Sequence, residues 1–236
     1  MCGRYTLTNV EAKLTKMLRL QQLAGLKARY NIAPTQPIAA VRANEQSGER
    51  EWAIFSWGLV PFWAKEPSIA HKMLNARAET AAGKPAFRGP MRHHRCLIPA
   101  DGFYEWKGRA GQKQPFYFRR RDHEPFCFAG LFDHWGSPDG SEIESATILT
   151  TSANDFMKPV HHRMPVIIQP KDYDRWMDPK IQRSDAVADL LHAPPEDFFI
   201  REPVTPLVNN VRNEVPECIM PTVEPPEPPA QMGFGF

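Results

Sequence analysis

Apolar and polar residues follow two different rhythms along this chain. Near the start, Val10, Leu14, Met17 and Leu18 recur at the spacing of one helical face. Thr8 with Glu11 three residues on has the form of a capping box. The spacing predicts an amphipathic helix over residues 9–22. Beyond it the rhythm becomes strand-like, in short aromatic or β-branched runs bounded by Gly, Pro or Asp. These runs predict strands at Pro37–Arg42, Glu51–Leu59, Arg95–Pro99, Pro115–Arg119, Pro125–Phe132, Ala146–Ser152 and Met164–Gln169. Ser137-Pro138-Asp139-Gly140 reads as a turn joining two of them. Short helices are expected near Arg77–Ala82, Lys171–Met177 and Asp185–His192.

Many short strands with few helices between them argue for an α+β domain rather than a parallel, doubly wound one. The expected architecture is mainly antiparallel strands forming a curled sheet or incomplete barrel, with short helices at its flanks. It should occupy residues 1–220. From Pro221 the chain reads PTVEPPEPPAQMGFGF. Proline and glutamate dominate there, so residues 221–236 are expected to be a disordered tail.

Composition narrows the function only by exclusion. The chain has 236 residues, 42% hydrophobic and 24% charged, which suits one core in an ordinary globular protein. No run approaches the ~20 apolar residues of a membrane span, and the start lacks a secretory signal. The expected compartment is the cytoplasm, with the nucleoid as its site when on DNA. Four cysteines (Cys2, Cys96, Cys127 and Cys218) fit no zinc ribbon or disulfide scaffold. His93, His94 and Cys96 lack a partner pair at ligand spacing. No metal and no cofactor is implied. A net charge of +2 requires any nucleic-acid contact to come from a local basic patch.

Chemistry enters at the second residue. The chain opens Met1-Cys2-Gly3-Arg4, and removal of an initiator methionine before a small residue would leave Cys2 with a free α-amine. Amine and thiol then have reference pKa values of about 7.7–8.0 and about 8.5, so both are partly nucleophilic near neutral pH. An aldehyde condenses with such an amine to a Schiff base, and the thiol closes a five-membered thiazolidine. Glutamine amidotransferases, which are N-terminal-nucleophile amidohydrolases, also begin Cys-Gly. Position 2 alone does not choose between the two chemistries.

Further segments choose. Arg29-Tyr30-Asn31-Ile32-Ala33-Pro34, Trp57-Gly58-Leu59-Val60-Pro61, Asn75-Ala76-Arg77-Ala78-Glu79-Thr80, Ala100-Asp101-Gly102-Phe103-Tyr104-Glu105-Trp106, His161-His162-Arg163-Met164-Pro165 and Asn209-Asn210-Val211-Arg212-Asn213 follow one another in this order. With the opening Met1-Cys2-Gly3-Arg4, the chain resembles the SRAP (SOS-response-associated peptidase) family of abasic-site processing proteins. Nothing resembling an amidotransferase follows the Cys-Gly start.

The resemblance implies roles. Cys2 matches the nucleophile, Asn75 the asparagine around the reacting terminus, Glu105 the carboxylate beside the amine, and His161 the histidine beside the sugar. Opening a closed abasic sugar wants a proton shuttle, and histidine titrates near the working pH. Taken without the resemblance, Glu105 would be a solvated charge and Asn75 a helix N-cap. His161 and His162 would be equal candidates, and only the family's spacing to Arg163 favours His161. Met164 and His162 depart from residues common in relatives, without touching this chemistry.

The implied substrate is single-stranded DNA containing an abasic site, bound by a monomer. Such binding combines cations for phosphate with aromatic faces for stacking. Arg4, Arg77, Arg163 and Arg212 are the main candidates for phosphate, with Arg88, Arg92 and Arg95 behind them. Phe62 and Trp63 are candidates for stacking, as a wedge beside the lesion, whereas Trp57 is expected to fill the core. Lyase-like Schiff-base chemistry and a cysteine peptidase activity are both implied. A peptidase without cross-linking and a non-covalent single-strand binder stand as alternatives.

Overall fold

The computed structural model describes residues 2–8, 12–21, 25–44, 46–108 and 113–223. The chain begins with strand β1 (Tyr5–Leu7), helix α1 (Ala12–Leu18) and strands β2 (Arg29–Ile32), β3 (Pro37–Ala43) and β4 (Arg50–Trp57). After a 3-10 turn at Pro67–Lys72 come β5 (Asn75–Arg77), α2 (Ala78–Ala81) and α3 (Arg88–His93). The middle is continuous sheet: β6 (Arg95–Ala100), β7 (Gly102–Lys107), β8 (Gln114–Arg120), β9 (Phe126–Gly136) and β10 (Glu142–Ser152). Then follow β11 (Arg163–Pro165), β12 (Ile167–Ile168), α4 (Tyr173–Met177) and β13 (Phe199–Pro203). The class is mixed α+β with mainly antiparallel strands.

Two sheets result. One has five strands in the order β13-β8-β7-β1-β2. The other closes on itself, β10-β4-β3-β6-β9 returning to β10, with β5, β11 and β12 added at its margins. The ring closes through a parallel contact of β4 with β10, Ser56↔Ser145 and Trp57↔Ala146. In β9 and β10, runs of consecutive residues are buried irrespective of parity. That is the signature of strands covered on both faces, and it is why both read as apolar runs. Strand β4 alternates instead, with Ala53, Phe55 and Trp57 inward and Ile54 outward.

Aromatic rings join the sheets. Tyr5 of β1 meets Trp57 and Phe128 edge-on, with centroids 5.3 and 5.6 Å apart. Phe103 of β7 meets Phe128 at 6.2 Å and stacks on Phe118 at 5.1 Å. Edge-to-face and offset pairs of this kind add to the stabilisation from burial itself. Trp57 is fully buried, as its sequence context predicts.

The strands with strong apolar patterning lie where expected, and Ser137–Gly140 is the β9–β10 turn. Five strands escape the pattern: β1, β2, β5, β7 and β13. Four of these are short or rich in polar residues, while β7, with Phe103, Tyr104 and Trp106, pairs both with the next strand β8 and with distant β1. The first helix ends at Leu18 rather than at residue 22, because Arg19 turns left-handed with φ 54°. Thr8 donates its N–H and hydroxyl to Asp101 Oδ2 at 2.5 and 2.6 Å. Residues 9–11, which hold the Glu11 half of the expected capping box, lie outside the described residues. The expected helix at Asp185–His192 is a 3-10 turn, Ser184–Leu190. Of the expected tail, Pro221 forms a bridge with Val204 and Thr222 N–H donates to Pro203 at 2.8 Å. Residues 224–236 lie outside the described residues. No helix among the described residues is long and apolar enough to cross a membrane.

Asp101 fastens the first strand. Besides Thr8, it accepts the Thr6 hydroxyl at 2.5 Å, and that hydroxyl also lies 2.8 Å from the Tyr117 hydroxyl. Gly102 makes room for this: a Cβ there would stand 2.2 Å from the Tyr117 ring. Hydrogen bonds to a charged group contribute about 1.5–3 kcal/mol each. Asp101→Ala is therefore expected to lower stability by about 2–4 kcal/mol, read as a fall in the urea midpoint. A variant as stable as wild type would remove Asp101 from this role.

Candidate functional site

The start of the chain is held as an extension of β1. Tyr5 pairs with Phe103 and Thr6 with Gly102, and Tyr104 N–H donates to the Arg4 carbonyl at 3.0 Å. Continued by two residues, this antiparallel register carries Cys2 and Gly3 alongside Glu105 and Trp106 of β7. Cys2 is fully buried, its thiol 3.8 Å from the Arg4 carbonyl. From the other sheet Asn75 Nδ2 donates to the Cys2 carbonyl at 2.9 Å. Asn75 belongs to β5, which lies parallel along β10 with Asn75 opposite Ile148. Asn75 does not cap the following helix, whose N-cap residue is Arg77.

Arg4 joins the start of the chain to its far end. Its guanidinium donates to Asn31 Oδ1 and to the Val208 carbonyl, both at 2.7 Å. Asn31 Nδ2 donates in turn to the carbonyls of Asn210 at 3.0 Å and Asn213 at 2.8 Å. Glu214 accepts the N–H groups of Tyr30 and Asn31 on the open edge of β2. The Arg29-Tyr30-Asn31 and Asn209–Asn213 motifs thus brace the first residues.

Glu105, His161 and Arg4 line one open cavity of about 380 Å³, together with Trp106, Lys113 and Asn209. Asn209 Oδ1 accepts the Trp106 indole N–H at 2.7 Å. His161 lies in the segment leading into β11, and its Nδ1 is 3.0 Å from both the N–H and the C=O of Arg163. The neutral ring accepts from the N–H, and the charged ring donates to the C=O. Its orientation therefore survives a change of protonation. His162 stacks on His161 with centroids 4.5 Å apart but is exposed and outside that cavity lining.

Burial sets the protonation states. It pushes the Cys2 thiol well above its usual range, and the negative charge of Glu105 adds to the effect, so the thiol is neutral at pH 7. Burial lifts the Glu105 carboxyl to about 7, against the pull first of the chain's amino group and then of His162 and Lys113. His161 is held below its ordinary value, first by burial, and is neutral at pH 7. The arrangement pairs a neutral thiol with a carboxyl poised to take or give a proton near physiological pH.

The arginines expected to meet phosphate divide sharply. Arg77 and Arg212 are exposed, as are Arg88 and Arg92. Arg163 is buried and doubly bonded to Glu79, with Arg163 Nη1 2.7 Å from Glu79 Oε1 and Nη2 2.9 Å from Oε2. Arg95 is buried too, donating to five backbone carbonyls, of Trp176, Met91, Arg92, Asp178 and Ile181. Neither faces solvent as a phosphate contact would require. Arg4 is half-buried and bound internally. Phe62 and Trp63 are 68% and 48% exposed. Their turn is rigid: Ser145 accepts Val60 N–H at 2.8 Å, Asp133 accepts Phe62 N–H at 3.0 Å, and Trp135 donates to the Ala64 carbonyl at 2.6 Å.

Sequence reasoning gave no role to Lys113, Trp106 or Asn209. Trp106 and Asn209 lie inside quoted motifs, so a signal existed; Lys113 carries none. Among the described residues no group of three or more His, Cys, Asp or Glu side chains is placed to hold a metal ion.

A family model described as SOS response associated peptidase (SRAP) matches residues 1–211. The abasic site processing protein YoqW of Bacillus subtilis is 38% identical over 223 residues, 93% of this chain and 99% of that protein. The abasic site processing protein HMCES of Gallus gallus is 32% identical over 264 residues, covering 94% of this chain and 78% of its own length. A crystal structure of a protein from Bacteroides thetaiotaomicron superposes with a TM-score of 0.82 at 25% identity, over 94% of this chain and all of that one. One from Bordetella bronchiseptica gives 0.73 at 29% identity, over 86% of this chain.

The raised Glu105 has a consequence for stability. Between the unfolded value of 4.5 and about 7, the folded chain keeps a proton that the unfolded chain releases. Stability therefore falls as pH rises through that window, by a few kcal/mol at most, since one pKa unit corresponds to about 1.4 kcal/mol. Glu105→Gln is expected to stabilise the fold at pH 8 and to make no difference at pH 4. Urea denaturation across pH checks this, and an equal effect at both pH values would contradict it.

Proposed function

The chain belongs to the SOS response associated peptidase (SRAP) family, and from that premise we propose that it captures abasic sites in single-stranded DNA as a covalent adduct on Cys2. Relatives across most of its length are named abasic site processing proteins, and the local chemistry suits that substrate. The observation that carries the reading is the held chain end. The Cys2 carbonyl is fixed by Asn75 at 2.9 Å, beside a carboxyl that titrates at about 7.

Once Met1 is removed, the Cys2 amine attacks the aldehyde carbon of the opened sugar. The C–N bond forms, the carbonyl oxygen leaves as water with a proton taken from Glu105, and a protonated Schiff base remains. The thiol then adds to the same carbon, closing the ring, and its proton passes to Glu105. One water is released overall. Glu105 supplies a proton to the departing oxygen and accepts one from the thiol, which a carboxyl titrating near 7 can do in both directions. His161 moves the proton that opens the sugar. Asn75 orients the terminus without competing as a base. Ring closure removes the Schiff base from which β-elimination proceeds, so the lesion is shielded from strand cleavage. Exposed Arg77 and Arg212 receive phosphates, and the rigid Phe62-Trp63 turn offers an aromatic face to the strand.

Denaturing gels with an abasic oligonucleotide test the reading. Wild type should give a heat-stable shifted band, and Cys2→Ala and Cys2→Ser should give none. A wild-type yield from either variant would defeat the assignment. Peptide cleavage without any adduct would favour the peptidase alternative, and binding without a band would favour a non-covalent binder.

Two further outcomes follow. Glu105→Gln should slow transfer of cross-linked protein to excess competitor DNA, since formation and reversal share one transition state; release at the wild-type rate would remove Glu105 from that step. Affinity should fall with salt at a log–log slope of roughly −0.7 per neutralised phosphate. Arg77→Ala should shallow that slope, and an unchanged slope would exclude Arg77 from the contact.

A further inference from the structure

The C-terminal half of β10 has a strand on each edge, and the candidate site draws on both. β5 runs parallel along one edge, with Asn75 opposite Ile148 and Arg77 opposite Thr150. β11 runs antiparallel along the other, with Arg163 opposite Ser152 and Pro165 opposite Thr150. Neighbouring strands lie about 4.8 Å apart, so β5 and β11 are separated by roughly 10 Å with β10 between them.

One ion pair spans that width. Arg163 gives both terminal nitrogens to the Glu79 carboxylate, at 2.7 and 2.9 Å, and the second nitrogen also donates to the Thr150 carbonyl at 2.5 Å. A bidentate pair fixes orientation as well as distance. Each partner stands two residues after a candidate functional residue: Glu79 after Arg77, and Arg163 after His161. The second link is direct, since the Arg163 peptide grips the His161 ring at 3.0 Å.

Glu79 needs an explanation of its own. Its side chain is 46% exposed and two residues from an arginine assigned to phosphate. A carboxylate there repels a DNA backbone. Its contribution must come from what it holds in place. Neither Glu79 nor Arg163 is among the residues lining the cavity with Glu105 and His161.

We propose that the Glu79–Arg163 pair is a positioning element that registers Arg77 with His161 across β10, so that the strand-binding cation and the proton-moving imidazole serve the same sugar. The chain of force is short: carboxylate to guanidinium, Arg163 peptide to His161 ring. The proposal deepens the function argued above and rests on it for the identity of the substrate.

The test uses the full chain with Glu79→Gln, which keeps shape and removes charge, Glu79→Asp, and Arg163→Lys, which keeps charge and loses the fork. Three quantities are read: thermal midpoint, capture rate at saturating abasic oligonucleotide, and the ring-nitrogen NMR signals of His161 without DNA. A misplacement of about 1 Å costs up to ~100-fold in rate. Glu79→Gln and Arg163→Lys should slow saturated capture ~10-fold or more and move or multiply the His161 signals, and Glu79→Asp should recover part of both. A lower thermal midpoint with wild-type capture and unchanged His161 signals would reduce the pair to a structural brace and overturn the proposal. If wild type forms no adduct at all, the functional reading falls, and the His161 signals decide the positioning by themselves. Should one variant fail to fold, the other two carry the comparison.

Discussion

A residue second from the start of a chain is tethered on one side almost alone, and chain ends fray unless something ties them down. Everything around Cys2 answers that constraint. Asp101 draws in Thr6 and Thr8, and Arg4 is locked between Asn31 and the Val208 carbonyl. Asn75 reaches from the other sheet to the Cys2 carbonyl. The chemistry assigned to this terminus needs an amine and a thiol in fixed relation to a carboxyl, and proximity of that kind is worth several kcal/mol of barrier. A loose end would forfeit it.

Holding the terminus in the interior has an electrostatic cost, and the site turns that cost to use. Burial removes charge from the thiol, lifts Glu105 toward neutrality and depresses His161. The Glu105 carboxyl is thereby brought to where it gains and loses a proton near neutral pH, while the Cys2 thiol is held protonated and the His161 ring neutral. His161 keeps its orientation through the change because one backbone residue offers it both a donor and an acceptor.

Much of this was legible in the sequence, and the rest fails for identifiable reasons. The apolar runs of β9 and β10 and the alternation of β4 declare themselves, because burial on one or two faces imprints directly on residue type. β5 has three residues and no pattern of its own; it is a strand because β10 offers an edge. The motifs singled out Cys2, Asn75, Glu105 and His161 as candidates, but not that β10 brings Asn75 and His161 toward one end of the fold. Arginine is where sequence misleads most. Arg77 and Arg163 look alike as charges near motifs, yet one faces water and the other is folded under Glu79. Arg95 spends its charge on five carbonyls. Only tertiary structure says where a long side chain ends, since its stem can lie along apolar surface in either case.

The clasp between Arg4, Asn31 and the segment from Val208 to Glu214 also imposes an order in time. Its two halves are separated by about two hundred positions, and the chain emerges from the ribosome at roughly 5–20 residues per second. For tens of seconds after Cys2 is made, the carbonyls that complete its brace do not yet exist. Cys2 therefore sits on an unbraced segment while the chain is being synthesised, and its surroundings are complete only when translation is nearly finished. The first residues made are among the last to acquire their final shape.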